Sequence, residues 1–127
     1  ETVILERIWC TVDAGLVINP DGLRNQIEGG IVQAASWTLH EEVRFVDGRI
    51  SSNSWEQYPI LRFSEVPDIE IELVEDAANP ALGVGEVALG PTAAAIGNAV
   101  ARALGMRIRQ LPFSRDRLMR SLLATDQ

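Results

Sequence analysis

At 127 residues with 46% hydrophobic side chains, the chain has the length of one domain and enough apolar material for a single packed core, which argues against disorder. Its 11 basic and 18 acidic residues leave a formal charge of -7, which argues against nucleic acid or an anionic membrane surface as a partner. One cysteine, Cys10, makes no internal disulfide, and the lone His40 makes no metal site with it at the usual spacings, so any metal is carried by another group.

The chain opens at Glu1 without an initiator methionine and runs directly into Val3 to Val12, a loosely alternating stretch that reads as a strand; this start suggests a piece of something longer. Asp13-Ala14-Gly15 turns it into a second short strand, Leu16 to Ile18. Asn19 then offers a side-chain cap, and Pro20 stands at the first helical position, where its missing N–H is not needed. The spacing predicts a helix from there to about Glu42. Val43 to Val46, Asp47-Gly48 and Arg49 to Ser51 form a hairpin signal, because Asp-Gly tolerates the positive φ angles of a two-residue turn. Ser52 to Phe63 is irregular, and Ile69 to Val74 sets Ile and Leu against Glu in the pattern of a half-buried strand.

Ala77 to Glu86 reads as loop. A second helix occupies the alanine-rich segment between Val87 and Leu104, opened by Pro91 and ended by Gly105. This window is broken by Asn98 and Arg102 and is not a membrane-spanning helix, and no signal-peptide pattern is visible. Met106 to Gln110 reads as a short strand, and Ser114 caps a last amphipathic helix through about Leu123. Repeats and low-complexity tracts are absent from the sequence.

Two features carry chemistry. In Gly83-Val84-Gly85-Glu86 the glycines free the backbone to approach a ligand, and the following helix start supplies N–H groups and a positive dipole end. A carboxylate there repels a phosphate but is well placed to take a proton; a dipole-stabilising role and a catalytic one both fit Glu86. The spacing Gly83-x-Gly85-x-x-x-x-Gly90 misses the dinucleotide fingerprint. On the first helix, Gln26 and Gln33 lie seven residues apart on one face, with Gly29 and Gly30 between them. Such a face either packs tightly or presents amides to a flat ligand. His40 reads as a surface or dipole partner, Cys10 as core, and Trp37 and Trp55 as packing residues, with ligand walls as the alternative.

The order Val12-Asp13-Ala14-Gly15, Asn19-Pro20, Gln26-Ile27-Glu28-Gly29 with Val32-Gln33, and then Gly83-Val84-Gly85-Glu86 before an alanine-rich helix resembles the C-terminal end of the xanthine dehydrogenase and aldehyde oxidase large subunit. Within that family the tail Arg107 to Phe113 is similar to the bacterial branch of isoquinoline 1-oxidoreductase beta subunits. Many members place a proline after the motif glutamate, where Val87 stands here.

The resemblance implies a molybdenum hydroxylase that oxidises an aldehyde or N-heterocycle with water-derived oxygen. It implies Glu86 as the base toward the metal-bound hydroxyl and Gln26 as a cofactor-contacting glutamine, with the backbone at Gly83 and Gly85 approaching the molybdenum site. The implied cofactor is molybdopterin with molybdenum, in its cytosine dinucleotide form, with iron–sulfur clusters on a small partner subunit or domain. The remaining partners are the rest of the large subunit and the small-molecule substrate.

The fold expected is α+β: a mixed, largely antiparallel sheet packed by two main helices plus a short C-terminal helix. Residues 1–127 are expected to form the C-terminal part of a molybdopterin-binding domain, inactive and without tightly bound cofactor when isolated. The alternative is a non-enzymatic protein-binding or assembly domain on the same scaffold. Bacterial cytoplasm and periplasm both remain open as compartments.

Overall fold

The alternation along Arg7–Asp13 (β1) sends Ile8, Cys10 and Val12 to one face and Arg7, Trp9 and Thr11 to the other; only the first set meets a core. The computed structural model describes residues 2–125. After β1 come a 20-residue helix, α1 (Pro20–Leu39), a hairpin of β2 (Phe45–Val46) and β3 (Arg49–Ile50), a 3-10 turn at Phe63–Glu65, β4 (Asp68–Val74), α2 (Leu89–Leu104) and α3 (Arg115–Thr125).

The start of α1 follows its capping chemistry. The Gly22 N–H donates to Asn19 Oδ1 at 2.9 Å, and Pro20 opens the helix. The helix ends at Leu39, with His40 donating its backbone N–H to the Ser36 carbonyl, three residues before the predicted end. The hairpin forms as read, with Asp47 (φ 49°) and Gly48 (φ 72°) both at positive φ and Phe45 opposite Ile50. Gly105, at φ 69°, ends α2, and α2 begins at Leu89 with Pro91 inside its first turn.

The α+β class and the set of helices stand as expected, but the strand pairing is not largely antiparallel. β1 and β4 run parallel through seven residue pairs, Arg7 opposite Asp68 to Asp13 opposite Val74, and antiparallel pairing is confined to the hairpin. A parallel partner requires a long crossover, and α1 with the segment that follows supplies it. The predicted strands at Leu16–Ile18 and Met106–Gln110 do not form. Leu16–Ile18 is apolar and Met106–Gln110 alternates apolar with polar residues, but among the described residues neither joins a sheet, and Ile18 is 80% exposed.

Two clusters of buried side chains meet on α1. Its first half sets Leu23, Ile27 and Ile31 against Val12, Ala14 and Ala88, with the inward Ile and Leu residues of the sheet packed around them. Its second half sets Ala35 and Leu39 against Ile96 and Val100 of α2, Leu118 of α3, and Phe113 from the segment before α3. Gly30 lies between them, where a Cβ would come within 3.2 Å of the Ala88 methyl, so glycine lets the turn before α2 sit directly on α1. The end of α1 is tied down by polar contacts: Ser36 Oγ donates to Glu41 at 2.5 Å, Tyr58 donates to the same carboxylate at 2.8 Å, and Arg117 of α3 pairs with Glu42 at 2.7 Å. The Arg117 guanidinium holds the Glu42 carboxyl below its ordinary value. Among the described residues no helix is long and apolar enough to cross a membrane.

Candidate functional site

The glycine loop is positioned by the turn that ends β1. Asp13 Oδ1 accepts the Gly15 N–H, and Gly15 takes φ 62°. From there the Leu16 N–H reaches the Asn79 carbonyl at 3.0 Å and the Ala14 carbonyl receives the Leu82 N–H at 2.9 Å. A Cβ on Gly15 would fall 2.2 Å from the Pro80 oxygen, so this crossing requires glycine twice over, for its backbone angle and for its space. The loop is thereby delivered to residue 83 at a fixed height over α1.

There the two sequence features meet. Gln26 Nε2 donates to the Gly85 carbonyl at 2.7 Å, linking residues 59 apart in the chain. Gln26, Gly83, Gly85 and Glu86 are all exposed, while Val84 packs into the core beneath them and Ala88 is buried. The next turn follows at once, with the Leu89 N–H on the Glu86 carbonyl at 3.2 Å. Ala88 offers α2 no side-chain cap, so the helix presents its first N–H groups without a side-chain acceptor. Among the described residues the Glu86 carboxylate forms no ion pair or side-chain hydrogen bond, which leaves it free to handle a proton.

The glycines of this loop are not explained from within the chain. Neither Gly83 nor Gly85 has a positive φ, and a Cβ at either, or at Gly90, would meet nothing within 4 Å. A side chain there would instead stand in the approach to the loop. The same open space surrounds Gly29, Gly48 and Gly105. Among the described residues no three His, Cys, Asp or Glu side chains come together as a metal site.

The glutamine face of α1 divides. Gln26 borders a hollow of about 220 Å³ with Asn19, Leu82 and Val84, whereas Gln33 borders another of about 470 Å³ with Gly29, Asn25 and Glu41. Gln33 is therefore not joined to the Gln26–Gly85–Glu86 group. His40 lies 3.8 Å from Glu65 at the end of α1, away from this loop. Cys10 packs against the first cluster, and burial raises its thiol pKa. Trp55, read as a packing residue, is 79% exposed. The turn read at Asp13-Ala14-Gly15 forms, held by Asp13, while its hold on Asn79 and Leu82 carries no signal in the sequence.

Gln26→Leu is expected to release residues 85–87, because the Gly85 carbonyl loses its amide donor. The measurable result is faster amide exchange at residues 85–87 together with a stability loss of at most about 1 kcal/mol, since the bond is solvent-exposed.

Comparison with known proteins identifies the class. Residues 2–67, just over half of the chain, match the molybdopterin cofactor-binding domain, and the chain belongs to that family. It is 42% identical over 111 residues to the beta subunit of isoquinoline 1-oxidoreductase from Brevundimonas diminuta, and 40% identical over 120 residues to one of the nicotinate dehydrogenase subunits of Pseudomonas putida. These alignments take in 87% and 94% of the chain but 14% and 10% of the relatives, so the chain spans a small part of their length. The crystal structure of quinoline 2-oxidoreductase from Pseudomonas putida 86 superimposes with a TM-score of 0.80 at 35% identity, over 89% of this chain and 15% of that one. The resemblance read from the four ordered motifs is borne out, and its setting is a family of molybdopterin-dependent oxidoreductases.

Proposed function

We propose that these 127 residues are the C-terminal part of the molybdopterin-binding domain of a longer subunit, and that the whole is a molybdenum hydroxylase acting on an aldehyde or an N-heterocycle. The observation that carries this reading is the junction of Gln26, Gly85 and Glu86, with open glycine backbone on one side and an uncapped helix start on the other. The cofactor, when bound, supplies a molybdenum centre that accepts the electrons of substrate oxidation.

The chain's own residues hold and serve that group. Gln26 fixes the Gly85 carbonyl with its amide N–H, and its amide oxygen would be available to accept a hydrogen bond from the cofactor. Gly83 and Gly85 let the loop backbone lie close, because no Cβ intervenes. Glu86, exposed at the end of the loop, would take up a proton at its carboxylate once cofactor and substrate are bound. The names of the relatives, isoquinoline 1-oxidoreductase and nicotinate dehydrogenase among them, support an N-heterocycle at least as well as an aldehyde. The cytosine dinucleotide form of the cofactor and a small iron–sulfur partner subunit complete the proposal.

The test is to express the complete subunit with its partner and to measure molybdenum per subunit and oxidation across a panel of aldehydes and N-heterocycles. Stoichiometric molybdenum with turnover of a panel member supports the reading, and a complete protein devoid of both contradicts it.

A further inference from the structure

β1 and β4 end level with one another, Asp13 opposite Val74, so the segments that follow them leave the sheet side by side. Two backbone hydrogen bonds then join those segments, from the Leu16 N–H to the Asn79 carbonyl at 3.0 Å and from the Leu82 N–H to the Ala14 carbonyl at 2.9 Å. Both bonds use groups beside Gly15, whose φ of 62° turns the flanking peptides in fixed directions. One side chain holds that turn: Asp13 Oδ1 accepts the Gly15 N–H at 3.0 Å. Asp13 is exposed and, among the described residues, forms no ion pair, so this bond is what its carboxylate contributes to the fold. The far side of the crossing is fastened as well, because Asn79 Nδ2 donates to the Asp76 carboxylate at 2.5 Å. Leu82 stands four residues before Glu86, with no helix or strand between them.

We propose that Asp13 is a positioning residue for Glu86: by holding the Gly15 turn it aims the Ala14 carbonyl and the Leu16 N–H at residues 79–82, and so sets where the Glu86 carboxylate stands for proton transfer. This rests on the reading of Glu86 as the proton acceptor. The Glu86 carboxylate has no partner of its own among the described residues, so its place is inherited from the loop that carries it. Gln26 supports that loop from the helix side at Gly85, and the Asp13 turn supports it from the sheet side at Leu82. Without the Asp13 oxygen, Gly15 regains the conformational freedom of glycine, and the bonds at residues 79 and 82 loosen together. The group held is a neutral N–H, so the property that matters at residue 13 is an acceptor oxygen and not a charge. Misplacing a reacting group by about 1 Å costs about 10²-fold in rate.

The test uses the complete subunit as wild type, Asp13→Ala, Asp13→Asn, Glu86→Gln and the double variant Asp13→Ala/Glu86→Gln, with amide exchange at Leu16 and Leu82, molybdenum per subunit and kcat measured on each. Asp13→Ala is expected to speed exchange at Leu16 and Leu82 by at least about tenfold. It should also lower kcat by about 10- to 100-fold with molybdenum at the wild-type level. Asp13→Asn keeps an acceptor oxygen and should hold exchange and kcat within about threefold of the wild type. In the Glu86→Gln background, Asp13→Ala should change kcat by less than about twofold, since a proton acceptor that is already gone cannot be misplaced.

Unchanged exchange at Leu16 and Leu82 in Asp13→Ala overturns the proposal, as does unchanged kcat. An Asp13→Asn variant as impaired as Asp13→Ala makes the charge the operative property and also overturns it. Molybdenum lost with Asp13→Ala assigns the turn to cofactor retention instead, and a full additional loss of kcat in the Glu86→Gln background marks a general structural role; either result sinks the positioning of Glu86. The reading beneath it fails in its own way: Glu86→Gln with turnover near that of the wild type removes the proton acceptor and the positioning role with it, while exchange at Leu16 and Leu82 still reports whether Asp13 holds the turn.

Discussion

Glu86→Gln in the complete subunit is expected to keep its molybdenum and its melting temperature while losing about 10²- to 10⁴-fold in turnover, the range a positioned proton acceptor contributes. The retention half of this expectation comes from the fold. Glu86 is exposed and, among the described residues, engaged in no ion pair or side-chain hydrogen bond, and the loop is held instead by backbone groups, by Gln26 on Gly85 and by Val84 in the core. Glutamine preserves the shape and removes only the capacity to accept a proton at a carboxylate. Metal analysis and steady-state kinetics on the same preparation separate the two effects. Turnover near that of the wild type would make the glycine–glutamate turn a structural element and remove the catalytic assignment, with the fold unaffected.

The largest effect on stability is expected from Ile27→Ala, at about 2–5 kcal/mol by chemical denaturation. Ile27 is 1% exposed and stands where α1, the sheet and the Val84–Ala88 segment converge. Removing it leaves a cavity under residues that have little freedom to collapse, because Gly30 already brings Ala88 close to the helix. Against a total of about 5–15 kcal/mol for a domain, such a loss is a large fraction. It also reaches the site: Gln26 is the neighbouring residue, and Val84 beneath the glycine loop loses packing. A loss below about 1 kcal/mol would show that the first cluster does not support the sheet as described.

Much of the local structure was legible because it depends on local chemistry. Asn19-Pro20 starts α1, Asp47-Gly48 turns the hairpin and Gly105 ends α2, each through capping or φ preferences carried by the residues themselves. What depends on partners was not legible. Leu16–Ile18 and Met106–Gln110 have the composition of strands but, among the described residues, join no sheet, and the parallel register of β1 and β4 is set by a crossover of more than fifty residues. The exposure of Trp55 belongs to the same class, since side-chain type does not say what surface is present to cover it.

The site divides in the same way. The glycine–glutamate turn and Gln26 stood out separately, one for an acidic residue before a helix, the other for amides and glycines on one helical face. Their hydrogen bond spans 59 positions and depends on the Gly15 crossing, which only the fold reveals. Gln33, on the same face by spacing, faces a different hollow, because Gly30 is taken up by packing on Ala88 and the loop passes over the Gln26 end alone.

The most direct measurement is the molybdenum content of the complete subunit carrying Gly85→Phe, with the melting temperature of the 127-residue chain carrying the same change. Within this chain a side chain at residue 85 meets open space and no φ constraint, so the melting temperature should stay within about 3 °C of the wild type. If a cofactor lies against that backbone, the phenyl ring occupies its place, and molybdenum should fall to less than about a tenth of the wild-type stoichiometry, a loss of at least about 1.4 kcal/mol in binding. Full molybdenum in Gly85→Phe would contradict the account, because the open glycine loop would then face no bound group.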